Sequence, residues 1–209
     1  MQENVRDPLT EVFLGLKQPH EDVRQRAAIA LGTLVTPDLA GRLADLLWEE
    51  PDAFVRESLT WVLTRVPEAA LPYALAAFTD ERAQVRVTAV HLVSKLGDRS
   101  AVPSVIPLTA DADDDVGAKA RFALARLGDP VAIPALTAYL GRGGDERRSQ
   151  LTRDLADFGA AALPHLEVRL AHRDAAVREH AAHVIDVIRE EERRTKLTLT
   201  RRLPRPSTR

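Results

Sequence analysis

The sequence predicts an all-α fold, a right-handed α-solenoid of about six stacked two-helix repeats. Three observations carry this prediction: a recurring Val-Arg dipeptide, a second marker ending in proline with the same period, and apolar residues at helical spacing. The dipeptides are Val23-Arg24, Val55-Arg56, Val85-Arg86 and Val177-Arg178, with Val116-Gly117 and Arg147-Arg148 filling the gap. The register then advances by 32, 30, 31, 31 and 30 residues. The second marker reads Ala70-Leu71-Pro72, Ala101-Val102-Pro103, Ala132-Ile133-Pro134 and Ala162-Leu163-Pro164, advancing by 31, 31 and 30. Two unrelated motifs that hold one period mark an internal repeat.

Each repeat resolves into two helices. After the marker Val, offsets +4, +8 and +11 read Ala27, Leu31, Leu34 in the first repeat and Ala89, Val93, Leu96 in the third. They read Ala120, Leu124, Leu127 in the fourth and Ala181, Ile185, Ile188 in the sixth. That spacing is one face of an α-helix. Gly97, Gly128 and Gly159 follow helix ends, where a positive φ is favoured. The marker prolines fall early in the other helix, where a missing N–H costs little. Residues 1–20 read as the first helix of the first pair, and Glu190-Glu191-Glu192 closes the last. Because one pair cannot bury its apolar face alone, neighbours stack on a continuous core.

Composition fits this architecture and removes several function classes. Aromatic residues make up only 4%, so the core is built from Ala, Leu, Val and Ile, which suit close helix packing. The absence of Cys excludes disulfides, thiolate catalysis and Cys-ligated metal. MQENVRDPLTEV has neither a basic nor an apolar leader region, and no apolar run reaches the roughly 18–20 residues of a membrane span. A cytoplasmic protein is expected. Arg outnumbers Lys 25 to 4, which points to a GC-rich bacterial genome. Residues 193–209 hold seven Lys/Arg and no acid, leaving 22 basic against 31 acidic side chains over 1–192, a formal −9. The expected division is a solenoid over 1–192 and a flexible basic tail over 193–209, whose TKLTLT alternation would form a strand only on a partner.

Segments such as DPVAIPALTAYLGRGGD and DVRQRAAIALGTL resemble HEAT-like repeats of the phycobilisome-lyase type, over residues 7–192. Gly117 in place of Arg, Arg147 in place of Val and Leu59-Thr60 in place of Ala-Ala depart from the usual pattern. The resemblance implies that the Val-Arg helices line a concave side, with offsets +2, +3, +6 and +10 facing it. Offset +6 gives Ile29, Trp61, His91, Phe122, Arg153 and His183; offset +10 includes Arg65, Lys95 and Arg126. With Arg26 and Lys119, the strip holds six bases against the acids Glu57, Asp157 and Glu179. Aromatic anchors beside Arg compose an interface hot spot. The candidate partner-binding residues are therefore Arg26, Ile29, Trp61, Arg65, His91, Lys95, Lys119, Phe122, Arg126, Arg153 and His183.

The function expected is a non-catalytic scaffold that holds an acidic, partly apolar protein segment. No membrane partner is expected, and the oligomeric state is left open. A nucleic-acid binder resembling the HEAT-like alkylpurine DNA glycosylases is the alternative, disfavoured by a pI near 6.3 and an acidic body. A lyase- or chaperone-like accessory subunit is a third reading, though nothing specifies a bilin site. His180 and His183, with Glu179, Asp186 and His172 nearby, have spacing that could serve a metal, but the pattern is not HExxH. His20-Glu21 is a lone dyad, unlike the several of the HEAT-like iron hydroxylases, and Asp111, Asp113, Asp114 and Asp115 read as helix caps. No catalytic residue, metal or cofactor is expected.

Overall fold

Helix starts are set by short polar caps and prolines, and the resulting elements alternate through the chain. A computed structural model describes residues 7–202, with side chains as far as Lys196. Among these residues every regular element is helical: α1 (Pro8–Gly15), α2 (Glu21–Leu31), α3 (Ala40–Glu49), α4 (Ala53–Leu63), α5 (Pro67–Ala76), α6 (Ala83–Leu96), α7 (Val102–Val105), α8 (Asp114–Leu127), α9 (Ile133–Thr137), α10 (Asp145–Ala156), α11 (Leu163–Arg169) and α12 (Ala175–Arg202). They form six pairs, and each even-numbered helix carries the marker register. Short 3-10 turns precede α3, α7, α9 and α11. Pro103, Pro134 and Pro164 then occupy the first helical turn, as their missing N–H favours. Pro72 lies inside α5 instead, because Pro67 already starts that helix one turn earlier.

The chain falls into two compact units, one ending at Ala123 and one beginning at Leu124, a boundary within α8. In the first, α2 packs on α4 and α4 on α6, α3 packs on α5, and the partners of each of the first three pairs meet. In the second, α10 packs on α12, α9 on α11, and α11 on α12. The predicted face is the core. Ala89, Val93, Ala120 and Leu124 are fully buried, as are Leu31, Leu59 and Leu63, and Ile185 and Ile188 are nearly so. Gly97 takes a left-handed φ of 73° and caps α6 through its N–H to the Val93 carbonyl.

The marker arginines hold the turns together. Arg86 Nη1 donates to the carbonyls of Asp80 and Glu81, six and five residues back, at 2.8 and 3.1 Å. Arg24, Arg56 and Arg178 make the same pair of bonds to residues 18/19, 50/51 and 172/173. These carbonyls lie between helices with no helical donor of their own, so the guanidinium satisfies them. In two repeats the other edge of the fork reaches forward. Arg24 grips Glu50 (2.8 and 2.9 Å) and Arg86 grips Asp111 (2.8 and 2.9 Å), each bidentate. Both carboxylates also accept the backbone N–H two residues on, from Asp52 and Asp113. One side chain thereby ties its own turn to the next. The acidic cluster divides accordingly: Asp111 is the ion-pair partner, whereas Asp113 accepts from the N–H groups of Asp115 and Val116 at the start of α8.

In the repeat that lacks this arginine, a guanidinium from further along the helix reaches a different carbonyl. Arg121, one helical turn after Gly117, donates from Nη1 to the Thr109 carbonyl at 3.0 Å. A Cβ on Gly117 would come within 3.1 Å of that guanidinium nitrogen.

The final helix departs from expectation. Charge alone suggests a break after Glu192, yet α12 continues to Arg202, and TKLTLT lies in this helix rather than in an extended segment. Glu190 pairs with Arg193 and Arg194, three and four residues on, supporting helical spacing past Ile188, the last buried side chain among the described residues. Residues 203–209 of the predicted tail lie outside the described residues.

Candidate functional site

Within the first unit, offset +6 points outward at its start. Ile29 on α2 is 53% exposed and Trp61 on α4 is 45% exposed. Phe54, at the first turn of α4, is 73% exposed. These three, with Gln25, Glu57 and Ser58, line an open depression of about 420 Å³. Trp61 is held in place from two sides. Its six-membered ring lies over Gly32, where any Cβ would overlap it. The Arg65 guanidinium sits 5.4 Å from a Trp61 ring centroid, a cation–π distance. On that side a second, more polar hollow is lined by Gly32, Thr33, Val35, Trp61, Thr64 and Arg65. The apolar cluster is thus rimmed by polar groups, the composition of an interaction patch.

The bases of the predicted strip are partly engaged by its own acids. Glu57 reaches from α4 to α6, its Oε1 2.8 Å from Lys95 Nζ and its Oε2 2.7 Å from His91 Nε2. Lys95 and His91, the latter half-buried, therefore answer to a carboxylate of the same strip. The hydrogen bond from Lys95 holds the Glu57 carboxyl below its ordinary pKa, aided by His91. Burial pushes the His91 imidazole below its ordinary value, outweighing the opposite pull of Glu57. In the neutral form Nε2–H donates to Glu57, and Nδ1 is buried without a partner. Arg26 pairs with exposed Asp22 at 2.9 Å, and Lys119 lies 5.7 Å from the Phe122 ring. Offset +3 turns inward at Thr88, which is buried and bonds to Gln84.

In the second unit, Arg126 is exposed at the last turn of α8, and Arg153 donates to Gln150 at 2.7 Å. His183 is exposed, but His180 is 6% exposed and fully engaged. Its Nδ1 accepts from the Gly141 N–H at 3.0 Å, and its Nε2 lies 3.0 Å from Thr152 Oγ1. Thr152 donates its own proton to the Arg148 carbonyl, so the imidazole donates from Nε2. Both ring nitrogens are committed to joining α10, α12 and the turn after α9, which takes His180 out of any metal pair with His183. Among the described residues no group of His, Asp and Glu side chains could hold a metal ion.

Burial pushes the His180 pKa below its ordinary value. A histidine with a lowered folded pKa adds stability above its unfolded pKa of about 6.5, and loses it as pH falls through the folded value. Denaturant midpoints are therefore expected to fall between about pH 7 and 5, and His180→Gln is expected to flatten that slope. The same slope in the variant would remove His180 as a contributor.

Phe54 was not foreseen from the sequence. A signal was present: the residue before each marker reads Asp22, Phe54, Gln84, Asp115, Glu146 and Ala176, and Phe54 alone is large and apolar.

Comparison with known proteins agrees with the repeat geometry. A family model described as HEAT repeats matches residues 71–156. Residues 71–156 carry HEAT repeats. The CpcE–CpcF complex of phycocyanin lyase from Nostoc sp. PCC7120 is similar at 26% identity and TM-score 0.52, over 78% of this chain and 68% of that one. The Escherichia coli protein YibA is similar in fold, with TM-score 0.55 and 17% identity over 96% of this chain and 77% of that one. No curated protein matches the sequence. No helix among the described residues is long and apolar enough to cross a membrane.

Proposed function

We propose that this HEAT-repeat chain is a non-catalytic protein-interaction scaffold, and that the face formed by α2 and α4 seats an apolar side chain of a partner segment. The observation that carries this reading is the exposed trio Ile29, Phe54 and Trp61 around one depression. Leaving three large apolar side chains in water forgoes stabilisation of about 1.5–3 kcal/mol for each one fully buried, and a covering partner recovers it. Arg65 beside Trp61 favours an acidic residue next to that apolar anchor, because a carboxylate can pair with the guanidinium edge while the ring covers its face. Repeat arrays bind through such faces. The similar phycocyanin lyase structure is itself a complex of two chains, CpcE and CpcF, which supports an assembly role.

The test is affinity capture from native lysate with wild type, Phe54→Ser and Trp61→Ala, scoring bound protein and nucleic acid. Phe54→Ser removes a largely exposed ring, so its unfolding free energy is expected to stay within about 1 kcal/mol of wild type. Each variant is expected to weaken capture of the same protein at least about tenfold, as loss of a buried aromatic anchor does. Equal capture by all three would overturn the reading. Nucleic acid recovered in place of protein, and released by moderate salt, would replace it with the polyanion reading.

A further inference from the structure

In the second unit, two turns bring together side chains that belong neither to the predicted strip nor to the Trp61 face. A cleft of about 270 Å³ lies between the turn after α9 and the turn joining α11 to α12. Its charged lining is Arg142 from the first turn, Arg169 at the end of α11, and His172, Arg173 and Asp174 from the second turn. Among the described residues, none of these three arginines has a carboxylate partner, unlike Arg24, Arg82 and Arg86 in the turns of the first unit. Arg142 lies 5.2 Å from the Tyr139 ring, a contact that orients the guanidinium without neutralising it. His172 Nδ1 accepts the Asp174 N–H at 3.1 Å, so the ring proton sits on Nε2, the atom left for a ligand. Asp174 turns Oδ1 onto the Ala176 N–H at 2.9 Å. Three guanidinia and one carboxylate leave the lining at a formal +2. Gathering like charges around one hollow is unfavourable until an anion enters it.

We propose that this cleft binds a phosphomonoester dianion. A phosphoryl group carries about −1.5 to −2 at neutral pH with three strong acceptor oxygens, which matches the formal charge of the lining. Guanidinium forks meet such oxygens in bidentate geometry, and His172 Nε2–H adds a further donor. A single carboxylate would leave part of the charge unanswered. The volume is about nine times the ~30 Å³ share of one water, space for a phosphoryl group and part of what carries it. The carrier is either a small phosphorylated molecule or a phosphorylated side chain, and the chemistry recognised is the same.

Calorimetric titration of the full chain with inorganic phosphate, a short phosphoserine peptide, its unphosphorylated form and oligothymidylate tests this. Saturable binding of phosphate and of the phosphopeptide is expected, with none of the unphosphorylated peptide. Tighter binding of the phosphopeptide would identify a modified side chain as the ligand. Phosphate bound at least as tightly would identify a small molecule. Either result supports the proposal. Arg142→Gln and Arg173→Gln, both exposed and so expected to fold, should each weaken binding about tenfold or more. Arg26→Gln and Trp61→Ala, in the first unit, should bind phosphate as wild type does, which separates this site from the Trp61 face. No saturable binding at concentrations on the order of 10 mM, unchanged affinity in both cleft variants, or displacement of phosphate by oligothymidylate at lower concentration would each overturn it.

Discussion

Arg86→Ala is expected to lower the unfolding free energy by about 2–3 kcal/mol, read from urea denaturation midpoints. The substitution removes four hydrogen bonds: two to the Asp80 and Glu81 carbonyls and two to Asp111. Truncation leaves both carbonyls without this donor and Asp111, whose side chain is only 9% exposed, with the Asp113 N–H but no guanidinium. The ion pair alone would not justify this magnitude, because charges near the surface are screened. The unsatisfied carbonyls make the difference. Asp111→Asn is expected to cost less, since an amide oxygen can still accept from the guanidinium. The double variant should reveal a coupling of about 1 kcal/mol or more. Arg26→Ala provides the comparison, because its partner Asp22 and its own side chain are both largely exposed. If Arg86→Ala costs no more than Arg26→Ala, the turn-stapling role is wrong.

Gly141→Val is expected to be more damaging still, by about 3 kcal/mol or more. Gly141 has φ +76°, and a Cβ there would stand 2.8 Å from backbone atoms of Ala176 and Val177. Gly97 has nearly the same φ, +73°, and no atom within 4 Å of its would-be Cβ. Gly97→Ala therefore measures the left-handed penalty alone, about 1–2 kcal/mol. The excess at Gly141 measures the close approach of the α9–α10 turn to α12. It also includes the bond that Gly141 gives His180, which a displaced turn would break. Equal costs for Gly97→Ala and Gly141→Ala would show that the approach is looser than its geometry implies.

Much of this arrangement was legible in the residues, and the reasons for the remainder are physical. Periodicity located the core because burial follows helical spacing: Ala89, Val93, Ala120 and Leu124 are all fully enclosed. It also placed Ile29 and Trp61 outward, as they are. Offset +3 misled, because a residue at the edge of a helix face turns in or out with the size of its neighbours, and Thr88 and His180 turn in. Charge counting included Glu57 but could not show that it engages Lys95 and His91, which meet it in space and not in sequence. The marker arginine was visible as a repeat signal, but its targets are backbone carbonyls, which no side-chain pattern records. The helix beyond Glu192 was hidden by a change of composition that alters charge without breaking helical spacing.

The substitution at Gly117 shows what kind of history such a chain can have. Arg121 approaches the Thr109 carbonyl across ground that a side chain at 117 would occupy. A side chain at 117 and the Arg121 guanidinium would crowd each other there. The two positions are therefore bound by epistasis: what residue 117 can become depends on what residue 121 already reaches.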